Sequence, residues 1–396
     1  MPSVTQTFNH KALMRIAIVI AIVQFTNALE YMVFNPVFVF MATDFAVPVS
    51  FSGYVSGMYT LGAVLSGIIA FYWIDHFNKK HFLIANMVLL GLLTLLTTST
   101  SSFSLLLALR FCAGLVGGTT MGVGISILIN NMPPNLRGKM LATVIASFSI
   151  VSIVGMPTIL FLCTHYGWHV ALWLISALCV LALPLIVSII PQDPVSLNTF
   201  PKLPLDRDTL LFASSNAFVQ FSPMLVIPIL APLMIQQLGA SQDLLPWLFF
   251  SGGIMGYLST KITGVLTSRF SALMLATGST IVFILSLLIP ILGYQHATLF
   301  ISLFLGASYS RLVSSSVVSI QFPDDRQRAG FSSLQTSIMY LVTTIAFFLS
   351  AFLLPDHGMA PQNLNKLLAI SAISAAVFPI LVIIMQKKLA KRFHLT

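Results

Sequence analysis

Four ionisable side chains fall inside apolar runs of this chain: Glu30, Arg110, Lys261 and Arg311. Holding such a group in hydrocarbon costs on the order of 3 kcal/mol or more by insertion scales, so it persists where it faces a cavity or a partner. Glu30 is the chain's only glutamate and its only carboxylate well inside an apolar run. Burial favours the neutral carboxyl and a nearby cation favours the ionised one. A group balanced between these effects can load and release a proton; a structural ion pair with Arg110 is the competing reading. Arg110 either joins that proton relay or snorkels to the nearer interface. Arg311 lies in the middle of its run and reads as a cavity cation. Lys261 is about two turns from the end of its run, within snorkelling reach. Three cations against one carboxylate would make a shared cavity positive, which points to an anionic cargo, a carboxylate-rich metallophore being one example.

Buried amides cost energy unless they are satisfied. Asn27, Tyr31 and Asn35 share or border the Glu30 face by helical spacing, and Asn216 and Gln220 occupy the corresponding helix of the second half. These are expected substrate contacts, with helix–helix hydrogen bonding as the alternative. Pro36, Pro157, Pro223 and Pro228 are expected to kink their helices.

The elements that must position these groups follow from composition. Apolar types make up 57% of the 396 residues and charged types only 7%, far below the roughly 25% charged of a soluble domain. A surface so poor in charge suits a bilayer, where a spanning helix needs about twenty apolar residues. That length places twelve helices, near 13–40, 51–73, 82–99, 105–129, 140–162, 169–190, 210–236, 246–267, 272–292, 297–319, 330–354 and 366–386. The fold class expected is therefore all-α integral membrane. The proline-rich polar stretch 191–208 divides it into six-helix bundles at 1–190 and 209–396. Lys11 and Arg15 precede a first apolar run too long for a signal-peptide core, so it reads as a retained helix.

Basic residues gather in alternate loops: Lys79 and Lys80, Arg137 and Lys139, Lys202 and Arg207, Arg269, and the tail from Lys387. By the positive-inside rule both termini are cytoplasmic, and the net charge of +9 is a topology signal rather than a nucleic-acid footprint. Cys112, Cys163 and Cys179 show no disulfide or zinc spacing. The absence of a nucleophile elbow, a histidine pair or paired aspartates within a helix argues against an enzyme, and no cofactor is implied. The halves echo one another: Asp75-His76-Phe77-Asn78 corresponds to Ser268-Arg269-Phe270-Ser271, and Pro133-Pro134-Asn135-Leu136-Arg137 to Pro323-Asp324-Asp325-Arg326. Parallel repeats of this kind put a substrate site at their interface near mid-membrane.

On these residues the chain resembles the major facilitator superfamily over essentially its whole length. Asp75 with Lys79-Lys80 matches part of the family's loop signature after helix two, and Gly264 with Arg269 matches part of it in the second half. Arg110-Phe111-Cys112-Ala113-Gly114 matches the family's helix-four element, with Gly118 and Gly122 continuing a face suited to close helix approach. Gly155-Met156-Pro157, followed by Gly167-Trp168, is similar to the fifth-helix element of the proton-coupled drug-efflux branch. The resemblance implies a twelve-helix alternating-access carrier. It makes Glu30 and Arg110 the proton-coupling pair, and Asp75, Lys79, Lys80, Arg137, Gly155, Pro157 and Arg269 parts of the gate. The expected protein is a monomeric secondary transporter of the bacterial inner membrane. It would couple a small organic, anionic solute to protons, with export slightly favoured. Proton-coupled import of an organic anion and proton-independent uniport are the alternatives.

Overall fold

A computed structural model describes residues 10–73, 78–132, 134–192, 206–323, 328–354 and 360–394. Among them fifteen α-helices and no strand are found. In hydrocarbon the backbone has no water to bond, and an α-helix satisfies its N–H and C=O groups within one segment. The helices are α1 His10–Met41, α2 Ser52–Trp73, α3 Lys79–Thr97, α4 Phe103–Asn131, α5 Pro134–Ile150, α6 Met156–Tyr166, α7 Trp168–Ile189, α8 Arg207–Val226, α9 Leu230–Gln236, α10 Leu245–Leu266, α11 Ala272–Ile291, α12 Ala297–Ser319, α13 Arg328–Leu353, α14 Pro361–Ala376 and α15 Phe378–His394. Three pairs, α5/α6, α8/α9 and α14/α15, are interrupted single crossings, so the fold has the twelve crossings that the apolar runs predict. Ten stretches are long and apolar enough to span a bilayer by themselves. The 22-residue helices α2 and α10 complete the set.

Helix starts are fixed by short polar side chains that satisfy orphan N–H groups. Asn78 accepts from the backbone of Lys80 and His81 at α3, and Ser271 accepts from Met274 N–H at α11. Asn78 and Ser271 are the matching positions of the two loop echoes. The interruption in the fifth crossing is a π-helical turn, Val151–Gly155. Pro157 cannot donate to the carbonyl four residues back, and Met156 N–H reaches instead to Val151 O, five residues back. The seventh crossing breaks at the 3₁₀ turn Ile227–Ile229, which contains Pro228. Pro36 lies within an unbroken α1.

Helix seams are set by glycine where backbones meet. A Cβ on Gly114 of α4 would lie 1.9 Å from Tyr59 O of α2, and one on Gly118 would lie 2.5 Å from Ala63 Cα. The face expected from Gly114, Gly118 and Gly122 therefore packs at its first two positions. Gly122 has open space beside it. The pairing recurs in the second half, where α10 packs on α12 as α2 packs on α4.

Three apolar clusters fill the molecule. One, around Ile20, Met87 and Ile127, lies among the first six crossings. Another, around Phe212, Phe331 and Phe378, lies among the last six. The largest spans both. It runs toward the end of the bundle away from His10 and His394, here called distal, where the halves touch. There Ser52 Oγ donates to Pro228 O at 2.6 Å, and Gly53 packs on the backbone of Phe347.

Candidate functional site

The charged groups and the polar cavity occupy different places. In the first half, Arg110 of α4 donates through Nη1 to Oε1 of Glu30 in α1, and the two are 1% and 0% exposed. The guanidinium also covers the Phe34 ring at 3.8 Å and the Tyr59 ring at 4.7 Å. The structural pair weighed from sequence is thus formed. It rests on one bond: Oε2 of Glu30 and Nε and Nη2 of Arg110 bond to no described residue.

Between the halves lies a cavity of about 120 Å³. Asn35 of α1 and Gln220 of α8 supply an amide from each half, and Ser152 of the π turn with Ser308 and Tyr309 of α12 add hydroxyls. Met156, Met224 and Phe249 are among its apolar lining. Ser152 Oγ and Tyr309 Oη approach to 3.4 Å across the seam. Gly253 of α10 lets α10 reach the π turn, since a Cβ there would lie 2.5 Å from Ser152 O. Asn35 is 5% exposed and its Oδ1 makes no hydrogen bond to a described residue, leaving an acceptor available at the cavity wall. The described lining carries no Asp, Glu, Lys, Arg or His.

This corrects the expectation of a positive cavity. Arg311 is 0% exposed and is packed inside the second half. Its Nη1 donates to Ser222 Oγ at 2.7 Å, and its guanidinium lies 4.6 Å from the Phe283 ring and 5.5 Å from the Phe378 ring. Ser308, Tyr309 and Leu312 of the same helix line the cavity, and Arg311 does not. Lys261 is exposed on α10, with Nζ 5.7 Å from the Tyr257 ring, as snorkelling requires. Arg110 lies within the first half.

The remaining expected contacts divide similarly. Asn216 donates to Ser316 Oγ at 3.0 Å, which is the helix–helix alternative. Asn27 is buried beside Gly117 and the Tyr59 hydroxyl rather than at the cavity. Tyr31 stacks on Tyr59 at 5.2 Å and meets Tyr340 of α13 edge-on at 6.2 Å, joining the halves. Of the gate residues, Gly155 packs against Leu29 and Phe25 of α1, and Pro157 follows the π turn. Lys80 Nζ donates to Val187 O at 2.7 Å, capping the end of α7. Lys79 is buried and Arg269 exposed. Asp75, and the side chain of Arg137, lie outside the described residues. Ser152 and Tyr309 escaped the sequence reading. The proline five residues on was a signal for the first, whereas the second is one aromatic among many.

A family model described as Major Facilitator Superfamily matches residues 20–211, and the twelve crossings superpose on solved transporters of that fold. The first half of the chain matches the major facilitator superfamily, and the whole chain has that superfamily's fold. The purine ribonucleoside efflux pump NepI of Escherichia coli O6:H1 is 23% identical over 328 residues, 81% of this chain and 82% of the relative. A bacterial homologue of the human lysosomal transporter Spinster, inward-facing and unoccupied, aligns with TM-score 0.71 at 15% identity, covering 98% of each chain. Nucleoside transporter NupG aligns with TM-score 0.73 at 12% identity over 94% of this transporter and 99% of that chain. At such identities the solved structures speak for the fold. The fold and the relatives together make the protein a multi-pass membrane secondary transporter of small molecules.

Proposed function

We propose that the transporter exports an uncharged, ring-bearing polar solute, of the size and hydrogen-bonding character of a purine nucleoside, in exchange for protons. The observation that carries this reading is the cavity between the halves, with amides from both halves, three hydroxyls, apolar walls and no acid or base in its described lining. A charged cargo would lose its hydration there without a counter-charge. A planar heterocycle can use amide donors and acceptors on its edge and methionine and phenylalanine on its faces. The similarity to a relative named as a purine ribonucleoside efflux pump supports the same class.

Proton coupling rests on Glu30. Protonating its carboxyl removes the charge that holds Arg110, and the guanidinium already lies over Tyr59, which stacks on Tyr31 and so leads to Tyr340 of the other half. A protonation event inside the first half therefore has a packed route to the seam. We place the protein in a bacterial inner membrane with both termini cytoplasmic, acting as a monomer. The closed distal end is then the outer one, and the state is inward-facing.

The test uses the purified transporter in proteoliposomes with an imposed pH gradient. Labelled purine nucleosides should move against their gradient when protons run the other way, and citrate or a carboxylate metallophore should not. Movement of the organic anions alone would overturn the cargo class. Nucleoside flux indifferent to the pH gradient would overturn the coupling.

A further inference from the structure

Arg311 is a buried cation with no ion pair to a described residue. Guanidinium stays protonated at any physiological pH. The residue lies eight positions before the end of α12, so about 12 Å from that end at roughly 1.5 Å per residue, and farther from the other. The only carboxylate inside a crossing is Glu30, already committed to Arg110 in the other half. The nine aspartates fall, by sequence position, beyond helix ends or, at Asp208, in a first turn. Nη1 has Ser222, while Nε and Nη2 bond to no described residue. Two buried hydroxyls nearby share that condition. Thr280 is one turn before Phe283, the ring under the guanidinium, and Ser315 is one turn after Arg311 itself. Two aromatic faces offset part of a cation's burial cost, but they satisfy no N–H.

The geometry points to a small-anion site inside the second half, in which the free Nε and Nη2 donors of Arg311, with the hydroxyls of Thr280 and Ser315, hold a halide or the carboxylate of a small acid. The site is separate from the central cavity, whose described lining does not include Arg311, Thr280 or Ser315. Its natural occupant is compact and singly charged, because these side chains offer one positive charge and a few donors between packed rings. An anion bound there completes the charge balance of the second half, as Glu30 completes that of the first.

The experiment measures the thermal midpoint of the purified full-length transporter in detergent, exchanged into gluconate and titrated at constant ionic strength with chloride, bromide, formate or acetate. The expected result is a saturable rise of a few degrees with the compact anions, lost in Arg311→Gln and retained in Lys261→Gln, whose cation is exposed. Halides acting alone identify an inorganic ion; formate and acetate acting as well extend the site to carboxylates. Should Arg311→Gln fail to fold, Thr280→Val and Ser315→Ala should each raise the half-saturating chloride concentration severalfold, and bromide should appear beside Arg311 by anomalous scattering in wild-type crystals. Equal shifts in wild type and Arg311→Gln, or no difference between chloride and gluconate in the wild type, overturn the proposal.

Discussion

The two halves share an architecture and treat their buried arginines in opposite ways. In the first, Arg110 is held by Glu30 between α1 and α4, over Phe34 and Tyr59. In the second, Arg311 has a serine and two phenylalanine rings but no carboxylate among the described residues. A repeated fold thus supplies one centre with an ion pair and one without an ion pair to a described residue. The proposed roles differ accordingly. A carboxyl beside its own cation can gain or lose a proton, while a lone guanidinium can only gain or lose an anion. The described lining of the cavity between the halves carries no charge, so the proposed solute site is separate from both.

The largest effect should come from breaking the balanced centre. Glu30→Ala or Arg110→Ala each leaves the partner buried and unpaired, at a cost of about 3–5 kcal/mol. Replacing both with leucine should cost clearly less than the sum of the two, which a double-mutant cycle on unfolding in detergent measures. Arg311→Met in gluconate should change stability by no more than about 1 kcal/mol, since it removes a charge that has no ionic partner among the described residues. An Arg311 variant as damaging as Arg110→Ala would erase the contrast.

The seams sharpen the same comparison at smaller scale. On Gly114 an added Cβ would meet backbone, Tyr59 O at 1.9 Å, whereas on Gly306 the nearest atom is the mobile Ser259 Oγ at 2.9 Å. Gly114→Ala should therefore cost about 1–3 kcal/mol by overpacking, and Gly306→Ala less than half of that. Thermal unfolding of the two variants side by side checks the order.

At the cavity, where each half contributes one amide, Asn35→Ala and Gln220→Ala should each raise the KM for the transported solute about tenfold, the loss of one net hydrogen bond of about 1.4 kcal/mol. Folding should be unchanged. A KM effect confined to one of the two amides would mean that one half alone binds the cargo. The smallest effect is expected at the ion pair of Lys388 with Asp208, whose side chains are 40% and 41% exposed. Lys388→Met should cost less than about 1 kcal/mol, and the loss should vanish in high salt.

How much of this is written in the sequence depends on the range of the interaction that decides it. Apolar run length alone gives twelve crossings, because hydrocarbon leaves the backbone no partner but itself. The only carboxylate in those runs is legible as a buried charge, and so is its partner Arg110, because a buried charge demands one. The proline at 157 announces a broken helix, though not that the break is a π turn whose serine reaches a cavity. Tertiary structure alone decided which way each side chain faces. Asn35 and Asn27 are both buried amides of α1, and only the first lines the cavity. Ser308 and Arg311 are three residues apart on α12, yet one faces the solute path and the other the interior of the second half. Sequence fixes the presence and depth of a charge, since both scale with distance along the chain. The direction of its helix face is set by rotation against neighbours far away in the chain, so the neutral cavity could be read only once the helices were packed.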